Sequence, residues 1–369
     1  MIEQERSPLR LPLILIAITA LLAAMWAGLI RIGWNYASWQ PDLVQAHGAL
    51  MVSGFLGTVI GLERAVAAAA VYKNRMLYIV PLLSGAGGIL LLTGWNTQLG
   101  VVLMMLGSLG LMFLFGLIVR HHKALHTAVM LLGAVSWFIG NLLWLMGKPV
   151  HIAVWWWAGF LVLTIAGERL ELTRITRPTK TQIRMFSAVI ALMFVGLTIS
   201  AIPYRFDLGV RINGLSYILL ALWLLRYDVA RRTVRRDGLV RYIAACLLSG
   251  YVWMGVSGVL ALGYGGISAG PIYDSMLHSV FLGFVMSMIF GHAPIIFPAV
   301  LGLPVVYRPF LYVQLVSLHI SLFIRIVGDV SGNALIREWG GMLNAITLLL
   351  FLGSTMYSII SGQLSKDRE

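Results

Sequence analysis

The chain has 369 residues, of which 59% are apolar and 11% charged, and its mean hydropathy is +0.88. That composition excludes a soluble enzyme and describes a polytopic membrane protein. The net charge of +13 is no nucleic-acid footprint, because the basic residues lie in short connections between apolar runs.

Apolar runs of about 20 residues place twelve spans near 10–31, 45–70, 77–94, 98–119, 125–147, 151–170, 184–203, 209–228, 239–263, 273–298, 306–327 and 335–362. The expected fold is all-α, a single membrane domain over 1–369 with no room for a soluble domain. Of the 27 Lys and Arg, 21 fall with the two termini and the even-numbered connections and 6 with the odd ones. RPTKTQIR at 177–184 and RYDVARRTVRR at 226–236 belong to the richer side. This positive-inside bias predicts cytoplasmic termini in a bacterial inner membrane, with the Arg-rich loops facing lipid headgroups. Cys246, the one cysteine, lies in an apolar span. That excludes disulfides, Fe–S clusters, Cys-rich zinc sites and covalently attached haem.

Three segments repeat one pattern: GFLGTVIGLER at 54–64, GFLVLTIAGER at 159–169 and GFVMSMIFGHA at 283–293. Each opens on Gly-Phe, has a His upstream (His47, His151, His278) and places an ionisable residue nine positions after the Gly (Glu63, Glu168, His292). The spans holding 131–147 and 247–263 also align, Trp137 with Trp253 and Gly147 with Gly263. The period is four spans, giving arcs near 1–122, 123–237 and 238–369 and a pseudo-threefold arrangement. Chance similarity between Leu- and Gly-rich helices is the competing reading.

His47 and His151 open their spans and His278 lies about a turn into its own, all three toward the outer side, and His319 lies at mid-depth or slightly outside it. Glu63, Glu168 and His292 lie toward the cytoplasm. His278 and His292 are about 21 Å apart along an α-helix, and His47 and Glu63 about 24 Å, so one metal ion cannot serve both levels. At the outer level, His47 and His278 read as axial imidazole ligands of a haem iron. Gly54, Thr58 and Gly61 then offer a small-residue face to the macrocycle. The alternative is a helix-packing face, with the histidines hydrogen-bonded between helices. His151 and His319 are candidates for copper or a second haem. Against this, Trp155, Trp156 and Trp157 beside His151 read as an interfacial aromatic belt.

At the inner level, Glu63-Arg64 and Glu168-Arg169 have two readings. As structural helix-end charges, each Glu pairs with an Arg of another helix, because sequence neighbours point about 100° apart. As a proton-transfer set, Glu63, Glu168 and His292 exchange protons with a buried cofactor. Pro294 and Pro298 are expected to distort the helix around His292. Asp207, Asp228, Asp274 and Asp329 sit near span ends, where local pairing with Arg or helix capping is expected.

The twelve-span, three-arc arrangement resembles the haem-copper oxidase catalytic subunit in outline. The stretch from His47 to Gly61 is similar to the NnrS-family segment that carries the HAHE-type motif, and HSVFLG at 278–283 resembles that family's HALTVG segment. Ala49 and Leu50 stand where the motif has His and Glu. The resemblance implies b-type haem at His47 and His278, copper in some members, and a role in nitric oxide or nitrosative stress. Electron transfer through haem is the chemistry expected first, with a quinone or respiratory redox partner and nitric oxide as candidate ligand. Turnover of nitric oxide or quinol, and haem delivery to a respiratory complex, are the neighbouring readings. A proton-coupled secondary transporter of a small solute or metal is the alternative from another class.

Overall fold

The computed structural model describes residues 8–303 and 305–366, and among them every regular element is helical. Among the described residues twelve helices are long and apolar enough to cross a membrane: α1 Arg10–Ile32, α2 Leu43–Tyr72, α3 Arg75–Thr93, α4 Thr97–His121, α5 Leu125–Leu145, α6 Val150–Thr176, α7 Lys180–Ser200, α8 Phe206–Tyr227, α9 Gly238–Tyr264, α10 Pro271–Leu301, α11 Leu311–Ser331 and α12 Ala334–Gln363. In hydrocarbon each backbone polar group must be satisfied within its segment, which makes helices of such runs. The connections carry ordinary stop and start chemistry. The Asn96 side chain accepts from Leu99 N at 2.9 Å, and Thr179 and Gln182 form a reciprocal capping box at the head of α7. α3 ends on Gly94 with φ 70°.

The chain divides into two compact units, Met1–Phe160 with Ala299–Gly302, and Leu161–Pro298 with Leu303–Glu369. In the first unit α1 packs on α2 and α3, and α3, α4 and α5 pack in succession. Small residues set these approaches: a Cβ at Gly87 of α3 would crowd Gly100 and Met104 of α4. In the second unit α7, α8, α9 and α10 pack in succession, α10 meets α11, and α11 meets α12. Gly214 of α8 abuts the Gly258–Leu262 backbone of α9, and Gly340 of α12 abuts Arg325 of α11.

Besides 3-10 turns at the start of α3 (Arg75–Tyr78) and the end of α6 (Arg174–Thr176), two of the described helices carry π-helical stretches. α2 widens into i→i+5 turns over Leu50–Gly57, and α10 does so over Ser279–Met286. Both stretches have eight residues and start four before the glycine of Gly-Phe, Gly54 and Gly283. α6, which carries the third Gly-Phe, is α-helical through Val150–Thr173. In α10 the departure precedes Pro294 and Pro298, and Ser287–Leu301 continues as α-helix past both. The distortion expected at the prolines therefore lies a few turns earlier. π-helical turns are rare and concentrate at functional sites, so this shared register marks α2 and α10.

Candidate functional site

His47 lies just ahead of the π turn of α2, which begins at Leu50, and α1 fixes its ring. His47 Nδ1 is 2.7 Å from the Ala24 carbonyl oxygen. A carbonyl only accepts, so Nδ1 carries a proton, and in the neutral ring the lone pair lies on Nε2. Gly28, one turn along α1, leaves room for the ring, since a Cβ there would come within 2.8 Å of the imidazole Cε1.

His278 immediately precedes the π turn of α10, and its surroundings are charged. Its Nδ1 is 2.9 Å from the carbonyl oxygen of Asp274 and 3.1 Å from the carboxylate Oδ1 of the same residue. Pro271 opens this helix and Asp274 sits in its first turn, where a carboxylate meets the positive end of the helix dipole. Arg325 of α11 donates Nε to Asp274 Oδ2 at 2.9 Å and brings Nη2 to the same oxygen at 2.7 Å. That leaves Oδ1 facing the imidazole. Ser275 donates to Asp329 at 3.1 Å, and Arg337 pairs with Asp329 at 2.8 Å. Two acids and two guanidinium groups thus surround the head of α10 with balanced charge.

The small-residue face of α2 is covered by protein. A Cβ at Gly54 would come within 3.1 Å of Ala20 of α1 and 3.6 Å of Gly88 of α3, and Gly61 faces Pro81 of α3. A Cβ at Gly85 of α3 would lie 3.4 Å from Thr58 Oγ1. Gly54, Thr58 and Gly61 therefore form a helix-packing face, the plainer of the two readings. Gly57 receives the Trp137 ring of α5, which would collide with any Cβ there.

Around that contact runs a buried polar network. Trp137 Nε1 donates to Ser53 Oγ at 3.0 Å, and Ser53 Oγ donates to Asn141 Oδ1 at 3.1 Å. Trp157 Nε1 donates to the same Asn141 oxygen at 2.9 Å, and Asn141 Nδ2 donates to the Met104 carbonyl at 3.2 Å. Ser84 Oγ donates to the Ser53 carbonyl, inside the π turn, at 2.6 Å. Trp155, Trp156 and Trp157 are buried, at 0, 4 and 0% exposure. They form part of the core, which corrects the interfacial belt, and His151 beside them is half-buried.

His319 of α11 has both ring nitrogens in hydrogen bonds. Trp253 Nε1 donates to Nδ1 at 2.9 Å, which puts the ring proton on Nε2, 2.8 Å from Ser249 Oγ. A metal on either nitrogen would have to displace one of these partners. Trp253 also fills the space beside Gly283.

The Arg closest to Glu63 is not one from another helix. Glu63 Oε1 lies 3.7 Å from Nη2 of its neighbour Arg64, whose guanidinium also stands 5.7 Å from the Phe115 ring centroid. Both side chains are long enough to fold back along the helix despite diverging Cβ directions. Arg169 does reach another element: it donates Nε and Nη2 to the two carboxylate oxygens of Asp228 at 2.8 and 3.0 Å. Tyr251 of α9 donates to the same carboxylate at 3.1 Å. Glu168 stands immediately before Arg169 on α6. His292 Nδ1 is 2.7 Å from the Met288 carbonyl one turn back, the same carbonyl pattern as His278.

All four aspartates pair with Arg, Asp207 with Arg211 and Asp329 with Arg337 locally as expected, but Asp228 with Arg169 and Asp274 with Arg325 across more than fifty residues, which corrects the local pairing expected of them. The consequence of the last was missed: Asp274 sits four residues before His278 and backs its ring. The i, i+4 spacing of Asp and His was the available signal. Among the described residues no three or more His, Cys, Asp or Glu are grouped to hold a metal ion. The model of a family described as a domain of unknown function (DUF8744) matches residues 10–360. No curated protein matches the chain.

Proposed function

We propose that this chain, which belongs to the DUF8744 family, is a haem-binding integral membrane protein that uses His47 and His278 as imidazole ligands to b-type haem. The observation that carries the reading is that α2 and α10 each place a histidine within three residues ahead of an eight-residue π turn, with Nδ1 beside a carbonyl oxygen, that of Ala24 in α1 for His47 and that of Asp274 in its own helix for His278. In a neutral imidazole that contact puts the proton on Nδ1 and the lone pair on Nε2, the donor that haem iron requires, so the donor set fits the group. The haem would supply one-electron redox chemistry. The chain's own part is to hold each imidazole in one tautomer and orientation.

Together with the resemblance to NnrS proteins, the histidine design supports a role in the response to nitric oxide or nitrosative and redox stress, with electron transfer through haem. The positive-inside bias supports N- and C-termini in the cytoplasm of a bacterial inner membrane, and the Gly-Phe register supports three four-helix arcs. The test is the pyridine haemochrome of protein purified from haem-replete cells, followed by nitric oxide titration of the reduced form. A b-type spectrum that shifts with nitric oxide supports the proposal. A colourless protein sinks it and leaves proton-coupled transport, with Glu63, Glu168 and His292 as the residues to examine.

A further inference from the structure

The two candidate ligands are backed by unlike chemistry. His47 rests on a neutral carbonyl of α1, whereas His278 has the Asp274 carboxylate 3.1 Å from Nδ1 as well as a carbonyl at 2.9 Å. The carboxylate is no solvated surface acid: the Asp274 side chain is 14% exposed, that of Arg325 10% and that of His278 16%. In such a site a charged hydrogen bond is stronger than a neutral one, and it draws the imidazole proton toward the acceptor. Arg325 places Nε and Nη2 on Oδ2, so the carboxylate is held ionised and oriented while Oδ1 stays on the ring.

We infer that Asp274 is a positioning residue that gives His278 partial imidazolate character and thereby lowers the reduction potential of the iron it ligates. This rests on haem ligation by His278. A more electron-rich Nε2 stabilises the ferric over the ferrous state, and outer partners of ligating histidines raise ligand basicity in this way. Arg325 acts one step further out, by keeping the acid charged.

The experiment is a spectroelectrochemical titration of full-length protein in detergent, wild type against Asp274→Asn, which keeps the shape and a neutral acceptor. The double variant Asp274→Asn/Arg325→Gln is measured alongside, because it leaves no buried guanidinium without a counter-ion. At a fixed poised potential the ferrous-to-ferric ratio should rise about tenfold or more in either variant, a positive shift of about 59 mV for a one-electron couple. Retained haem with an unchanged midpoint in both variants overturns the inference and leaves the haem reading intact. Loss of haem from both, with retention in Asp274→Glu, shows that the charge is needed for ligation and supports the inference. Loss from all three overturns it in favour of a purely structural role. A colourless wild type removes the haem reading itself and the inference with it.

Discussion

The Asp274 carboxylate lies 3.1 Å from His278 Nδ1, one turn apart on α10, and is held there by Arg325 of α11. A histidine needs none of this to pack well in a membrane helix. An acid–imidazole pair with its own buried counter-ion is expensive to desolvate, and such groups in a span mark function by default.

The same physics fixes the cost of breaking the Arg169–Asp228 pair, whose side chains are 3% and 0% exposed. Asp228→Ala should destabilise the protein by about 3–5 kcal/mol, because it strands a buried guanidinium. Arg169→Met combined with Asp228→Ala should cost clearly less than Asp228→Ala alone. Thermal unfolding in detergent, read by intrinsic fluorescence, checks the order.

Asn141 holds the polar network of the first unit, accepting from Ser53 and Trp157 and donating to the Met104 carbonyl. Asn141→Leu should cost about 1–3 kcal/mol for each buried donor left without its acceptor. A melting temperature equal to that of wild type would show that the network reorganises freely.

Much of this architecture is legible from the chain alone, and the gaps have physical causes. Apolar runs mark the twelve spans because hydrocarbon thickness sets helix length; the expected 306–327 span is displaced, α11 running Leu311–Ser331. The histidines stand out because polar groups are costly in lipid. The π turns do not, since LMVSGFLG and SVFLGFVM contain nothing that separates i→i+5 from i→i+4 bonding. Trp155–Trp157 mislead because an aromatic cluster at a helix start is the same string whether it faces headgroups or neighbouring helices. Asp228 and Arg169 are 59 residues apart, and no local pattern joins them.

The π turn of α2 should matter through register. Deleting Val52 removes one residue from the i→i+5 stretch, lets the segment run as α-helix, and shifts His47 relative to the rest of α2. The expected result is a folded, helical protein by circular dichroism that has lost haem. Full haem retention would contradict the role given to the turn.

His319 separates structural from ligating histidines. With both nitrogens hydrogen-bonded to Trp253 and Ser249, His319→Ala should lower stability by about 1–3 kcal/mol and leave the visible spectrum unchanged. A lost or shifted Soret band would make it a ligand.

The most direct measurement is the oxidised and dithionite-reduced visible spectrum of purified wild type, His47→Ala, His278→Ala and His151→Ala. Ligation by His47 and His278 predicts a b-type spectrum in wild type and His151→Ala that is lost in the other two. A wild-type protein without chromophore after expression with ample haem, or a spectrum indifferent to both substitutions, would contradict it.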